Sequence, residues 1–503
     1  FLAMKVLVAT GHLAEQTVRD AVGVSADVLM VDTKIAAFIT PRKLLAAIKK
    51  DFPDFDESED KNFEYDLIFI PGLVSGDFSR LSTELDCRIQ LGPKHAYDLS
   101  FVLPFADDVE FSSEIPACEL LADVRREMAL EKVTELEELS SPSTVVGGLK
   151  LGGNSRMKVM AEVVDATGLD TELLSERIES FVKKDADIID LGASLHAGPD
   201  DVERAIRVAR SVTSLPLSID TLDPKLLTRA LETGVDMVLS LDSSNIDTVA
   251  PKIAGSDVAA VVIPDSGEGL DSLVKNIDAV RRMGVKKIIA DPVLDPIGHD
   301  ITASIIRYSS FHDMFPDVPV FFGVGNVTEL IDADSTGVNA TLCGIASDVG
   351  ASILFTPEYS NKTQGSIDEL KKSSQMIMLA KERKSSPKDL GIDLIQIKEK
   401  RRRTDSDIPA NFVRAKKSKM WKLDPRGSIR ISIIPDRYGK GGCILAEHDA
   451  VSIVGRTAGE IMDTILEMDI VSRMEHAAYL GQELKKAEIA LKFGRSYSQD
   501  DEF

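Results

Sequence analysis

A chain of 503 residues is too long for one ordinary domain, and at roughly 100–200 residues per domain it reads as three or four. Hydrophobic residues make up 44%, a globular balance that excludes wholesale disorder. Lys+Arg (59) against Asp+Glu (82) leave a formal net charge of −23, which repels nucleic acid and anionic lipid and argues against a nucleic-acid partner. No run approaches the roughly 20 apolar residues that a membrane helix needs, so no membrane partner is expected. Cys87, Cys118, Cys343 and Cys443 lie far apart, with no CxxC and no HExxH spacing. Zinc, iron–sulfur and disulfide frameworks are therefore not expected, nor is a metal site, and the chain reads as a reduced, cytoplasmic, multidomain protein.

Met4–His12 (MKVLVATGH) is an apolar run ending in Gly-His, a buried parallel strand turning into a loop. Leu13–Val22 has helical character, Ala26–Asp32 and Tyr65–Pro71 read as further strands, and Pro41–Lys50 as a helix with a basic end. This alternation predicts an open α/β domain of the Rossmann or flavodoxin-like kind over 4–140. Its ligand edge would carry Gly11-His12, the loop Pro71–Gly76 and the stretch Gly92–His95. The glycines could equally serve turns alone, since no GxGxxG or GxxxxGK[ST] is present. Glu131–Ser141 is acidic and polar, and Ser140–Ser143 (SSPS) reads as a linker.

Eight short strand-like runs then follow, separated by amphipathic segments such as Leu174–Val182 and Val202–Val208. They are Met157–Val164, Ile188–Gly192, Leu217–Asp220, Met237–Asp242, Ala259–Pro264, Lys287–Asp291, Val320–Gly325 and Ser352–Pro357. Eight consecutive β/α units predict a central (β/α)8 TIM barrel over 150–385, with a doubly wound sheet as the alternative. A basic linker is expected over 386–422 and a small C-terminal α+β domain over 423–503. In the latter, Val471–Phe493 reads as a helix packed on the domain's own strands, and Tyr438–Cys443 as a hairpin turn.

A barrel of this kind works at the C-terminal ends of its strands. Those ends carry Glu162 and Asp165 on the first, Asp190 on the second, Asp220 on the third, Ser240, Asp242 and Asn245 on the fourth, Asp291 on the sixth and Asn326 on the seventh. Any one Asp there could be a helix N-cap. As a set they match a flat, nitrogen-rich heterocycle with ring N–H and exocyclic NH2 groups, because carboxylates and amides supply the complementary acceptors and donors.

The ordered segments DADIIDLGASLHAGP (185–199), LPLSIDT (215–221), GVDMVLSLDSS (234–244) and IIADPVLDP (288–296) resemble the pterin-binding barrels. These include dihydropteroate synthases and methyltetrahydrofolate:corrinoid methyltransferases. The resemblance implies a pterin as substrate or ligand, held by Asp220 and Asp291, with no covalently bound cofactor. In the dihydropteroate synthases an Asn stands after strand four, where this chain offers Ser240 or Asp242. Further departures from those synthases are AEVVDATGLD (161–170) after strand one, Gly325-Asn326-Val327-Thr328 after strand seven and Thr356-Pro357-Glu358 after strand eight. The cations that usually clamp a diphosphate leaving group are missing from those places. GVGNVTEL (323–330) is similar to a turn of the methyltransferase branch, which implies that Asn326 lies beside the reactive pterin nitrogen.

The three-part organisation resembles the archaeal dihydropteroate synthase-related proteins of methanogens and of methylotrophs. The expected activity is a transferase of dihydropteroate synthase type serving tetrahydromethanopterin biosynthesis, in which a pterin-CH2-diphosphate condenses with an arylamine and Mg2+ accompanies the diphosphate. The alternatives are methyl transfer from a methyl-pterin to a corrinoid protein, or pterin binding without catalysis. Homodimerisation is implied by analogy. Lys362, His196 and Arg156 are candidate cations near the mouth. So is the segment 398–422, with ten Lys/Arg against three Asp/Glu, read either as a solvated linker or as an arm over the mouth, where Arg401–Arg403 would meet the diphosphate.

Overall fold

The computed structural model describes residues 4–53, 63–395, 413–416, 422–434 and 442–501. Arg401–Arg403, most of the basic segment and the turn before Cys443 lie outside them. The chain divides into two compact units, Phe1–Lys132 and Val133–Phe503.

In the first unit, β1 (Val6–Thr10), β2 (Asp27–Met30), β3 (Leu67–Ile70) and β4 (Arg88–Leu91) form a parallel sheet of order β2-β1-β3-β4. This is the open α/β arrangement expected, with the strand order of a flavodoxin-like sheet. β1 and β3 are buried throughout, which is why they read as continuous apolar runs. The helix Pro41–Asp51 starts where the Thr40 hydroxyl accepts from Lys43 N–H and proline occupies the first turn.

The linker expected at Ser140–Ser143 stands between a helix and a strand hairpin. The helix Ala122–Leu139 runs through the acidic stretch, and a hairpin of β5 (Thr144–Val146) and β6 (Leu149–Leu151) follows it. Glu131, Glu135 and Glu138 are exposed on that helix, whereas Glu137 turns inward and accepts from Lys158 Nζ at 2.6 Å and Arg156 N–H at 2.8 Å. Val146 and Leu151 are fully buried against barrel residues including Met160, Ile188 and Met237. The hairpin thereby covers the apolar interior of the barrel.

Eight parallel strands close that barrel: β7 (Lys158–Val163), β8 (Ile188–Gly192), β9 (Leu217–Asp220), β10 (Met237–Leu241), β11 (Ala259–Val262), β12 (Lys287–Ala290), β13 (Val320–Phe322) and β14 (Ala351–Thr356). The closed (β/α)8 reading holds, and the doubly wound alternative does not. Helices between strands begin at capping aspartates: Asp170 accepts from Leu173 N–H at 2.8 Å and Asp223 from Lys225 N–H at 2.7 Å. The apolar faces of these helices pack on the outward strand residues, among them Val159, Ile189 and Ile219. The inward residues alternate with them. On β7 to β9 the inward series are Met160-Glu162, Ile188-Asp190-Gly192 and Ser218-Asp220, so each strand carries its polar residue at the C-terminal end.

Within 422–501, β15 (Arg430–Ile434), β16 (Cys443–His448) and β17 (Val451–Gly455) form an antiparallel meander. The helices Ala458–Glu467 and Met474–Lys492 bury Ile461, Ile465, Leu480 and Leu484 with the strands' Ile431 and Ile444.

Candidate functional site

The inward ends of β7, β8 and β9 bring Glu162, Asp190 and Asp220 together, and each offers an oxygen within 4.8 Å of the others. The register pairs Glu162 with Asp190 and Asp190 with Ser218. Gly192 ends β8 for a spatial reason: a Cβ there would stand 2.6 Å from a Glu162 carboxylate oxygen. Asp190 has no exposed surface; one oxygen accepts from the Ser218 hydroxyl, and the other is buried without a partner. Burial raises all three carboxyls, and their mutual repulsion adds to it for Glu162 and Asp190. Glu162 is pushed up to about 7 and Asp220 to about 6, and Asp190 stands well above its ordinary range.

Asp291 follows β12 and joins this acidic layer electrically, since Asp220 raises it further after burial has done most of the work. It stands at about 6 although Tyr308 Oη donates to it at 2.7 Å and Val293 N–H at 2.7 Å. Val293 is β-branched yet holds φ +67°, a conformation that costs about 1–3 kcal/mol and persists where surroundings impose it. Arg307 imposes it here, donating to the carbonyls of Pro292 and Val293 and pairing with Asp295 at 3.1 Å. Tyr308 shares an inward helix face with Ser304 and Phe311, so from sequence it reads as core.

The other expected residues fall into two groups. Asp165 (φ +53°) and His196 sit on loops following β7 and β8, Asn326 sits in the short helix Gly325–Thr328 after β13, and all three are exposed. Asn326 donates its amide to Leu294 O at 3.0 Å, which ties its loop to the one after Asp291. Asn245, Asp242 and Ser240 are structural partners of one another. Asn245 is fully buried, donates to Ser240 O at 2.9 Å and Leu222 O at 3.2 Å, and accepts from Asp242 N–H at 3.1 Å. Its amide is spent on these partners and is not offered to a ligand.

One of the candidate cations is corrected. Arg156 precedes β7 and pairs at 2.6 Å with Asp187, which precedes β8, so it lies at the opposite end of the barrel from the mouth. Lys362 is paired with Asp332 at 2.9 Å. Arg307 acts on the acidic layer through Asp291.

The sequence spacing shows no metal motif, because Glu162, Asp190 and Asp220 come from three separate strands. Their hard oxygen donors fit Mg2+ or Ca2+, and Asp190 supplies an oxygen that nothing else engages. They equally fit the N–H edge of a heterocycle, or retained protons.

A carboxyl raised by folding stabilises the fold fully below its unfolded value, and that contribution is lost as pH rises through the folded value. For Asp291, moving from 3.8 to about 6, the loss is about 3 kcal/mol. The ligand-free chain is therefore expected to be more stable to urea at pH 5 than at pH 8. An increase in stability over that interval would contradict the assignment.

Residues 423–500 match the family model described as PterinBD-DUF4346. The uncharacterized protein MJ0107 of Methanocaldococcus jannaschii is 37% identical over 526 residues, covering 99% of this chain and 98% of that one. The chain belongs to the MJ0107 family. Solved structures similar to this MJ0107-family chain include a dihydropteroate synthase from Thermus thermophilus (18% identity, 46% of this chain and 96% of that one, TM-score 0.38). Another is from Xanthomonas albilineans, with 4-aminobenzoic acid (19% identity, 48% and 99%, TM-score 0.39). No described helix of this MJ0107-family member is long and apolar enough to cross a membrane.

Proposed function

We propose that the barrel mouth binds a reduced pterin and that the chain is a transferase of dihydropteroate synthase type. The observation that carries this is the inward layer of Glu162, Asp190, Asp220 and Asp291, buried carboxyls that lack sufficient cationic partners of their own. A pterin presents ring N–H and NH2 donors to such acceptors, and it stacks on an apolar floor of the kind built by Leu239, Val261 and Phe321. The family-model match over 423–500 supports a pterin context, and the ordered motifs of the barrel support the branch.

In the reaction proposed, the C–O bond from the pterin CH2 to diphosphate breaks, a C–N bond to an arylamine forms, and the amine gives up a proton. Glu162, raised to about 7, exchanges a proton near neutrality and is the acceptor we assign. Asp220 and Asp291 stabilise the positive charge that develops on the ring as diphosphate leaves. Mg2+ would travel with the diphosphate. The placement in tetrahydromethanopterin biosynthesis follows from the resemblance of the three-part organisation.

One observation favours a second reading, methyl transfer from a methyl-pterin to a corrinoid protein: Arg307, the cation that acts on Asp291, is spent on Asp295 and on the carbonyls of Pro292 and Val293. Incubation with dihydropterin-CH2-diphosphate and an arylamine is expected to release diphosphate at a rate that Glu162→Gln lowers about 100-fold. Methylcob(III)alamin formed from methyl-pterin and cob(I)alamin, with no diphosphate release, would replace the first reading by the second.

A further inference from the structure

The first unit contains a second, differently built pocket. In its sheet the chain passes from β1 outward to β2 and then crosses back to β3 on the other side of β1. β1 and β3 are thus neighbours whose connections leave in opposite directions, the place where open α/β sheets form a crevice at the strands' C-terminal ends. A cavity of about 280 Å³ lies there, walled by Val8, Phe69, Leu99 and Ala14. Close backbone approach shapes it: a Cβ on Gly72 would meet Gly92 O at 2.5 Å, and one on Gly11 would meet Thr33 O at 2.7 Å.

Two features of this pocket have no structural explanation within the unit. Thr10, the last residue of β1, is among the residues lining the cavity and is 1% exposed, and its buried hydroxyl has no hydrogen-bond partner. Around the opening, Leu13, Ile35 and Leu73 hold their apolar side chains 77%, 47% and 56% exposed. A buried unpaired hydroxyl and an exposed apolar rim each oppose folding stability, and one occupant would relieve both. Its charge can be read as well. Among the described lining residues only Lys94 is ionisable, and its ammonium is held by Glu119 at 2.6 Å. The loop after β1, Thr10-Gly11-His12-Leu13-Ala14, lacks the glycine pattern that cradles phosphate.

We infer that this crevice is a binding site for a small, uncharged aromatic molecule whose one polar group bonds the Thr10 hydroxyl while its ring lies against Phe69 and Val8. It is independent of the barrel's acidic layer and does not rest on the pterin reading.

Benzamide is a suitable probe, since it has the ring and can donate to or accept from Thr10. Titrated into the full chain and followed by saturation-transfer NMR, it is expected to bind. Thr10→Val keeps the shape and removes the hydroxyl; it is expected to weaken benzamide at least fivefold and to raise the melting temperature by about 3 °C. Ala14→Phe, which fills the cavity, is expected to abolish the signal. Absence of binding to the unsubstituted chain, equal binding by both variants, or a lowered melting temperature for Thr10→Val would each overturn the assignment. The last would show that the hydroxyl is already satisfied.

Discussion

Asp291→Asn is expected to lose about 100-fold in affinity for a dihydropterin while leaving the barrel folded. The substitution keeps an acceptor for Tyr308 Oη and Val293 N–H, so the strained loop after β12 stays in place. What it removes is a charged acceptor for the ring N–H donors, a hydrogen bond worth about 1.5–3 kcal/mol. It also removes a titration. The wild-type carboxyl at about 6 depresses stability as pH rises through that value, and the amide does not. The variant should therefore be more stable than the wild type at pH 8 and close to it at pH 4, with weaker ligand binding at pH 8 and a much smaller difference at pH 4, where the wild-type carboxyl is itself neutral. Calorimetric titration and urea unfolding at the two pH values read these effects separately. A variant that binds as tightly as the wild type would remove Asp291 from the site.

Asp187→Ala is expected to have the largest effect on stability. Asp187 is buried at the end of the barrel opposite the mouth, where one oxygen accepts from Arg156 at 2.6 Å and Lys371 at 2.8 Å and the other from Val159 N–H at 2.8 Å. Burial alone would raise its carboxyl, but the guanidinium and the ammonium together hold it well below the usual range. Its removal leaves the buried Arg156 guanidinium without its carboxylate and Lys371 with only Asp185 at 3.1 Å, for which a loss of about 3–5 kcal/mol is expected in urea denaturation. The sign with pH is opposite to that at the mouth: this contribution is present above the unfolded value of 3.8 and is lost as pH falls through the folded one. A loss below about 1 kcal/mol would show that Arg156 and Lys371 find other partners.

Asp187 and Asp190 show what was legible. Both belong to the run DADIIDLG, three residues apart, and the alternation of a strand assigns Asp190 to the barrel interior. The apolar runs and their acidic endings made the eight strands readable, because parallel barrel strands are buried on both sides. Strand alternation also places Ser218 beside Asp220. Sequence did not reveal that Asp187 would be neutralised by Arg156 and Lys371, the latter 184 residues away. Nor did it distinguish Asn245, whose amide is consumed by carbonyls of β10 and of the loop after β9, from an amide free for a ligand. The hairpin at 144–151 leaves no signature in the sequence because each strand has three residues, too few to show a period. The metal-competent trio leaves none because its members share no local spacing.

The central claim is that a pterin sits inside the barrel mouth. A crystal structure of the chain with a bound dihydropterin tests it most directly. The ring is expected above Leu239 and Phe321, with its N–H edge within hydrogen-bond distance of the Asp220 and Asp291 carboxylates. A ring bound outside the barrel, on residues 423–500 or in the first unit, with the acidic layer unengaged, would contradict it.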